Sequence, residues 1–147
     1  MSTSASIRLF VTNEFSEAAS FALDEKQAHY ITHVMRLKLS DKIAVFNGKD
    51  GEWLAEINEV KKKSATCTCI KQTRPQFTPP DLWLLFAPLK LGRIDYLVEK
   101  ATELGAAELM PVQTERTIVS RINADRLHAH IIEAAEQTER LDVPKLH

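Results

Sequence analysis

The sequence predicts an α+β chain of two domains: a small β-barrel over residues 1–74, a linker at 75–81 and an α/β segment over 82–147. Three observations carry this reading. Short strand patterns with one helical pattern fill the first half. Residues 72–81 hold three of the six prolines and show neither a helical nor a strand period, as a stiff extended connection does. Beyond them β and α patterns alternate, which implies a parallel sheet.

The elements follow in order. Ile7-Arg-Leu-Phe-Val11 begins with the alternation of a half-buried strand. Asp24 is a helix N-cap with acidic and amide residues behind it, and Ala28, Ile31, Val34 and Met35 recur at helical spacing, so a helix with those four residues inward is expected. Residues 43–46 and 52–57 flank Asn47-Gly-Lys-Asp-Gly51, whose residues tolerate positive φ, and pair as a β-hairpin. Lys61-Lys-Lys63 marks a turn, and residues 64–70 alternate again through Ala65, Cys67 and Cys69. Several short strands in so short a stretch predict the small barrel. In the second half, Leu82-Trp-Leu-Leu-Phe-Ala87 is an unbroken apolar run of strand length, expected where helices cover both faces of a strand. Ile94, Leu97, Val98, Ala101 and Leu104 form a helical stripe ended by Gly105 as a C-terminal cap. Residues 107–112 read as the next strand. A helix starting near Asn123 then turns Leu127, Ile131, Ala134, Ala135 and Thr138 inward.

Composition bounds the class. With 147 residues, 44% of them hydrophobic, and a net charge of 19 − 20 = −1, the chain can bury a core without staples, and it is neither disordered nor collagen-like. No apolar signal core opens the sequence and no run of about 18 apolar residues occurs, so a cytoplasmic protein without membrane contact is expected. Cys67 and Cys69 point the same way from one strand, a poor geometry for a mutual disulfide, and read as reduced, half-buried thiols. Residues 1–74 carry 11 basic and 9 acidic side chains (+2) and residues 75–147 carry 8 and 11 (−3), so any nucleic-acid contact must come from a local arrangement and not from bulk charge.

Most catalytic motifs are absent. His29 and His33 have the i, i+4 spacing of metal ligands, but Tyr30 stands where a zinc-protease pattern needs glutamate and no third ligand is evident, so no metal is expected. His128 and His130 diverge by about 200° on a helix. No phosphate-cradling glycine loop and no G-x-S-x-G turn occurs. The polar residues Lys90, Arg93, Asp95, Lys100, Glu103, Thr114, Glu115, Arg116, Glu133, Gln137 and Arg140 are placed at strand ends and on outer helix faces. Ligands of open α/β sheets bind beyond the carboxyl ends of the strands, where Lys90, Arg93 and the Thr114-Glu-Arg116 string fall. Glu133, Gln137 and Arg140 share a helix face at i, i+4 and i+7. The plainer alternative is a solvated charged face, with Glu99 and Glu103 unpaired and Glu136 beside Arg140.

Longer strings narrow this choice. Ile7-Arg-Leu-Phe-Val11, His33-Val-Met-Arg-Leu-Lys38 with Asp41 and Phe46-Asn-Gly48, Lys90-Leu-Gly-Arg-Ile-Asp-Tyr-Leu-Val-Glu-Lys-Ala-Thr-Glu-Leu-Gly105, Pro111-Val-Gln-Thr-Glu-Arg116 and Glu133-Ala-Ala-Glu-Gln-Thr-Glu-Arg140 with Pro144 resemble, in order and spacing, the RsmE family of 16S rRNA (uracil-N3) methyltransferases. The K-x-x-R-x-D-x-x-x-x-K-x-x-E-L-G and E-A-x-x-Q-x-x-R-x-x-x-P blocks are the specific ones. The resemblance implies a PUA-like barrel that holds RNA, followed by the first half of a SPOUT (knotted) α/β methyltransferase domain working as a homodimer. It implies S-adenosylmethionine as methyl donor and a uridine of the small-subunit rRNA as acceptor. By the same resemblance Arg93, Glu103, Glu115 and Arg116 are candidate catalytic residues, with Glu133 a further proton acceptor. Arg8, Arg36, Lys38, Lys90, Lys100, Gln137 and Arg140 are candidate RNA contacts. The family's G-P-E-G-G and L-R-x-E-T-A segments, which shape the knot and the donor pocket, have no counterpart here. A chain without cofactor-binding residues, inactive by itself, is therefore expected, with a stand-alone RNA-binding module as the alternative.

Overall fold

A computed structural model gives the fold and describes residue 5 and residues 7–147; residues 1–4 and 6, the start of the N-terminus, lie outside it. The chain divides into two compact units, Met1–Phe77 and Thr78–His147. The break falls within the proline-rich stretch.

The first unit is a five-stranded sheet in the order β1-β3-β4-β5-β2. Its strands are β1 (Arg8–Phe10), β2 (Ser20–Leu23), β3 (Lys42–Phe46), β4 (Glu52–Val60) and β5 (Ala65–Arg74). β1 pairs parallel to β3 and the other neighbours are antiparallel. Among the described residues no hydrogen-bonded ladder joins β1 to β2, so the sheet is open in its pairing. Three register shifts in the β4–β5 pair bend these long strands, because each extra residue adds local twist. One core therefore collects Leu9, Val11, Phe21, Leu23, Ile43, Val45, Ile57 and Cys67 from all five strands. β3 is buried on its other face too, where Phe46 meets Phe10 at 5.6 Å between ring centroids. β5 runs on through Gln72, Thr73 and Arg74, residues without a strand period in the sequence, and ends just before the predicted linker at 75–81. The cysteines are fully buried and free, not half-buried, and burial pushes the Cys67 thiol up to about 12.

The hairpin loop follows its sequence. Asn47 Oδ1 accepts from the amides of Lys49 (2.9 Å) and Asp50 (2.8 Å). Asp50 Oδ2 in turn accepts from the Phe15 amide (2.9 Å) and Asn47 Nδ2 (2.7 Å). The Phe15 bond first, then that from Asn47, holds the Asp50 carboxyl below its ordinary 3.8. A group depressed in the folded state stabilises it above the unfolded pKa and loses that contribution as pH falls through the folded value. The melting-temperature advantage of the natural chain over Asp50→Asn should thus be full above about pH 5 and shrink steadily toward pH 3. A pH-independent difference in thermal melts would contradict it.

The predicted helix at 24–37 forms only in part. Asp24 caps α1 (Glu25–His29) with a reciprocal Asp24–Gln27 capping box. Residues 30–34 then widen into a π-turn closed by the Met35 amide on the Tyr30 carbonyl at 2.9 Å. The added backbone per turn rotates the residues after it. Ala28 and Ile31 are buried as expected, whereas Val34 is 58% and Met35 37% exposed, and the partly buried Leu37 packs against the core instead. Arg36 sits at φ +56, a left-handed conformation costing a non-glycine residue about 1 kcal/mol.

The second unit is a three-stranded parallel sheet, β6 (Trp83–Phe86), β7 (Glu108–Pro111) and β8 (Lys145–Leu146), in that order. Helices α2 (Arg93–Glu103) and α3 (Ala124–Gln137) return between the strands. Sequential order with right-handed crossovers puts both helices on one face, and Ile94, Val98, Leu109, Leu127 and Ile131 form one core there with Leu84 and Phe86. The other face of β6 stays open, with Trp83 47% and Leu85 58% exposed, contrary to the two-sided cover its apolar run predicts. Asn123 caps α3, accepting from the Arg126 amide at 3.0 Å. Gly105, at φ +95, ends α2 as expected: its amide donates to Thr102 and that of Ala106 to Ala101. Leu104, beyond the last helical turn, is 83% exposed and leaves the stripe, and Thr138 closes α3 exposed, its hydroxyl donating to the Ala134 carbonyl.

Candidate functional site

Because β6 and β7 are parallel neighbours, the loops that follow them leave from one edge of the sheet. The Val112 amide joins them, donating to the Phe86 carbonyl at 2.8 Å. The first loop carries exposed Lys90 and leads into α2, where the Lys90 carbonyl accepts from the Arg93 (3.1 Å) and Ile94 (3.3 Å) amides and exposed Arg93 opens the helix. In the second, Thr117 Oγ1 accepts from the Thr114 amide (2.9 Å) and the Thr117 amide donates back to Thr114 (3.0 Å). Glu115 and Arg116 form the exposed tip of that turn. Three cations and one carboxylate thus share the carboxyl edge.

The remaining candidates do not gather there. α2 runs back across the sheet, so Lys100 and Glu103 in its last turn lie toward the opposite edge, Glu103 about 15 Å along the helix from Arg93. Lys100 Nζ donates to Glu103 (2.9 Å) and Glu99 (3.1 Å) and lies 5.5 Å from the Tyr96 ring centroid. These carboxylates, Glu103 foremost, raise the Lys100 pKa above the ordinary lysine range. Glu99 and Glu103 are therefore bridged, not unpaired. Gln137 ends α3 on its exposed side, 3.5 Å from Glu133. Glu139, at φ +60, then turns the chain, so Arg140 does not continue the face shared by Glu133 and Gln137. Its guanidinium, 9% exposed, donates to the carbonyls of Thr102 and Ala106 (2.8 Å each) and forks onto Asp142.

Asp95 is buried between the helices and not on an outer face. Arg126 of α3 pairs with its Oδ2, and His130 Nε2 stands 3.7 Å from Oδ1, which has no hydrogen-bond partner among the described residues. Sequence reasoning missed this strut. Its signal was the i, i+4 spacing of Arg126 and His130 beside the inward Leu127 and Ile131.

In the first unit, Arg8 is committed to Glu52 at 2.7 Å and covers the Phe46 ring at 4.6 Å. Glu52 also accepts from Thr73 Oγ1 at 2.8 Å. Arg36 and Lys38 are exposed. His29 and His33 stack with ring centroids 4.5 Å apart, and no group of three potential ligands gathers for a metal among the described residues. No helix among those residues is long and apolar enough to cross a membrane.

The comparisons with known proteins respect this division. The family model described as the RNA methyltransferase PUA domain matches residues 23–69, and the RNA methyltransferase domain matches 77–147. The ribosomal RNA small subunit methyltransferase E of Rickettsia conorii is 33% identical over 93% of this chain and 57% of its own length. Its namesake in Synechocystis is 31% identical over 93% and 46%. The chain spans about half the length of the curated relatives it matches. A Legionella pneumophila protein solved with bound SAM superposes with TM-score 0.84 at 26% identity, covering 96% of this chain and 61% of that one. The Neisseria gonorrhoeae ribosomal RNA small subunit methyltransferase E shares the fold at TM-score 0.86 and 24% identity, covering 96% and 60%. Two matched domains in tandem, each on its own folded unit, and relatives of one name along nearly the whole chain give one answer: this chain belongs to the RsmE family of RNA methyltransferases.

Proposed function

We propose that this chain supplies the RNA-holding, PUA-like barrel and one edge of the reaction site of a methyltransferase acting on N3 of a uridine in 16S rRNA. The tandem of an RNA methyltransferase PUA domain and an RNA methyltransferase domain carries the reading. Uridine N3 lies on the Watson–Crick edge, so the base must be unpaired, its N–H proton removed and the developing anion stabilised. On the carboxyl edge Glu115 is the proton acceptor, Arg93 and Arg116 oppose the charge growing on the uracil oxygens, and Lys90 takes a neighbouring phosphate. Glu103, at the other edge and bridged by Lys100, is left out of the reaction, and Arg8 and Arg140 out of RNA contact, because their guanidinium groups are engaged internally.

S-adenosylmethionine, the family's donor, supplies an electrophilic methyl group. In this reading the groove of about 540 Å³ beside α2, lined by leucines, Tyr96, Arg93 and Lys100 with no carboxylate to hold ribose hydroxyls, is not the donor's pocket. No residue here is assigned to the donor. A second copy is the reading for the exposed apolar side chains of this unit, which include Leu82, Leu85, Leu91, Leu104 and Ile118.

Deleting the gene should remove N3-methyluridine from 16S rRNA, and the natural gene should restore it where an Arg116→Ala copy does not, read by nucleoside mass spectrometry of purified small subunits. Undiminished N3-methyluridine in the deletion strain would overturn the proposal.

A further inference from the structure

The loop that follows β7 is held by its own hydrogen bonds. The strand is anchored one residue past its end, where the Val112 amide reaches the Phe86 carbonyl, and the chain meets the core of the second unit again at Ile122. No residue between these two is buried, so packing does not fix the loop. Thr114 and Thr117 do. The Thr117 amide donates to the Thr114 carbonyl at 3.0 Å, as in a β-turn, and the Thr114 amide donates back to Thr117 Oγ1 at 2.9 Å. A third contact joins the two hydroxyl oxygens at 2.8 Å. A hydroxyl can accept from the amide and still share a proton with its neighbour; serine keeps that capacity, and valine, of nearly the same shape as threonine, loses it. Glu115 and Arg116, at the centre of the turn, are both outside the left-handed region, so the turn carries no strain of that kind. Among the described residues neither of their side chains is in a hydrogen bond or ion pair. Their backbone is fixed while their charged groups stay available, the reverse of Arg8 and Arg140, whose guanidinium groups are engaged internally.

We infer that Thr117 is a positioning residue of the methyl-transfer site: its hydroxyl, clipped to Thr114, holds the backbone from which Glu115 and Arg116 reach the uracil. The inference rests on the proposed reading of this edge as the reaction site and adds what keeps its proton acceptor in place. Glu115 takes the N3 proton, leaving on N3 the electron pair that accepts the methyl group. That transfer needs a carboxylate oxygen within about 2.6–3.2 Å of the nitrogen, and a misplacement of about 1 Å lowers the rate by up to about a hundredfold. An exposed loop without packing meets such a tolerance only if its backbone is set before the substrate arrives. Thr117 itself need not touch the uracil, because its hydroxyl is engaged by the amide and the hydroxyl of Thr114.

The test is steady-state methylation, by the product of the natural gene, of small subunits purified from the deletion strain, with S-adenosylmethionine in excess and N3-methyluridine read by nucleoside mass spectrometry. Thr117→Val should lower kcat about tenfold and leave KM for the small subunit within about twofold, because the clip serves the reacting geometry and not substrate binding. Thr117→Ser, which keeps the hydroxyl, should stay within about twofold of the natural enzyme in both. Thr117 acts through the tip, so Thr117→Val added to Glu115→Gln should lower kcat by clearly less than its own tenfold, whereas a general loosening of the fold would multiply the two losses. Hydrogen exchange resolved by residue should show the Thr114 amide exchanging faster in Thr117→Val, with β7, α2 and α3 as protected as in the natural protein. A natural rate from Thr117→Val, an equal loss in Thr117→Ser, multiplied losses in the double variant, an unchanged Thr114 amide or lost protection across α2 and α3 overturns the positioning role and leaves the reading of the edge standing. No N3 methylation by the natural enzyme, or an undiminished rate from Arg116→Ala, overturns that reading and the positioning role with it.

Discussion

Arg140→Ala is expected to destabilise the second unit by about 3–5 kcal/mol, the range for removing one partner of a buried, hydrogen-bonded charge pair. The guanidinium closes three loose ends at once. It satisfies the Thr102 carbonyl in the last turn of α2 and the Ala106 carbonyl just before β7, and neutralises Asp142. A cation there also meets the negative end of the α2 dipole. Alanine leaves two carbonyls and a carboxylate short of partners in a site only 9% exposed on the arginine side. Arg140→Lys should recover part of the loss, since an ammonium keeps the charge but not the fork. Because the two units need not unfold together, the measurement is hydrogen exchange resolved by residue. Protection should fall in α2, β7 and α3 and persist in the first unit. Arg93→Ala, exposed at the start of α2, should stay within about 0.5 kcal/mol. An Arg140→Ala chain as protected as the natural one would place Arg140 back among surface contacts.

Gly51→Ala should cost the first unit about 3 kcal/mol through strain and collision together. Gly51 sits at φ +76, and an added Cβ would run into the Arg74 carbonyl and lie 2.8 Å from the Gln76 amide nitrogen. Both neighbours are backbone, so no side-chain rotation relieves the clash. The Gly51 amide also donates to Gln76 Oε1 at 3.1 Å. The end of β5 and the start of the connection would have to move away from β4, loosening the Glu52 contacts of Arg8 and Thr73. Urea unfolding followed through the Trp53 environment should show the loss, and a Gly51→Ala midpoint equal to the natural one would contradict it.

Much of the fold was legible because local chemistry and tertiary demand agreed. The Asp24 and Asn123 caps, the Gly105 terminator and the 47–51 hairpin loop are short-range features whose partners lie within a few residues. The errors fell where long-range packing chose between local options. Val34 and Met35 have helical spacing, yet a π-turn puts them outside. β2 escaped notice because its four residues gain strand character only by pairing with β5. The apolar run of β6 predicts two covered faces, and two crossovers of one hand cover one.

The site divides along the same line. The sequence by itself determined the family, the two-part organisation and a set of charged residues in specific blocks, since these depend on identity and order alone. Which of those residues can act together was decided by tertiary structure. Parallel pairing of β6 and β7 sends Lys90, Arg93, Glu115 and Arg116 to one edge, and the return direction of α2 carries Lys100 and Glu103 away from it. Burial separates Arg140 and Arg8, which fill internal hydrogen-bonding needs, from Arg36 and Lys38, which stay in water. A charged side chain carries the same formal charge in either setting; only the packing around it decides whether that charge completes the fold or faces a ligand.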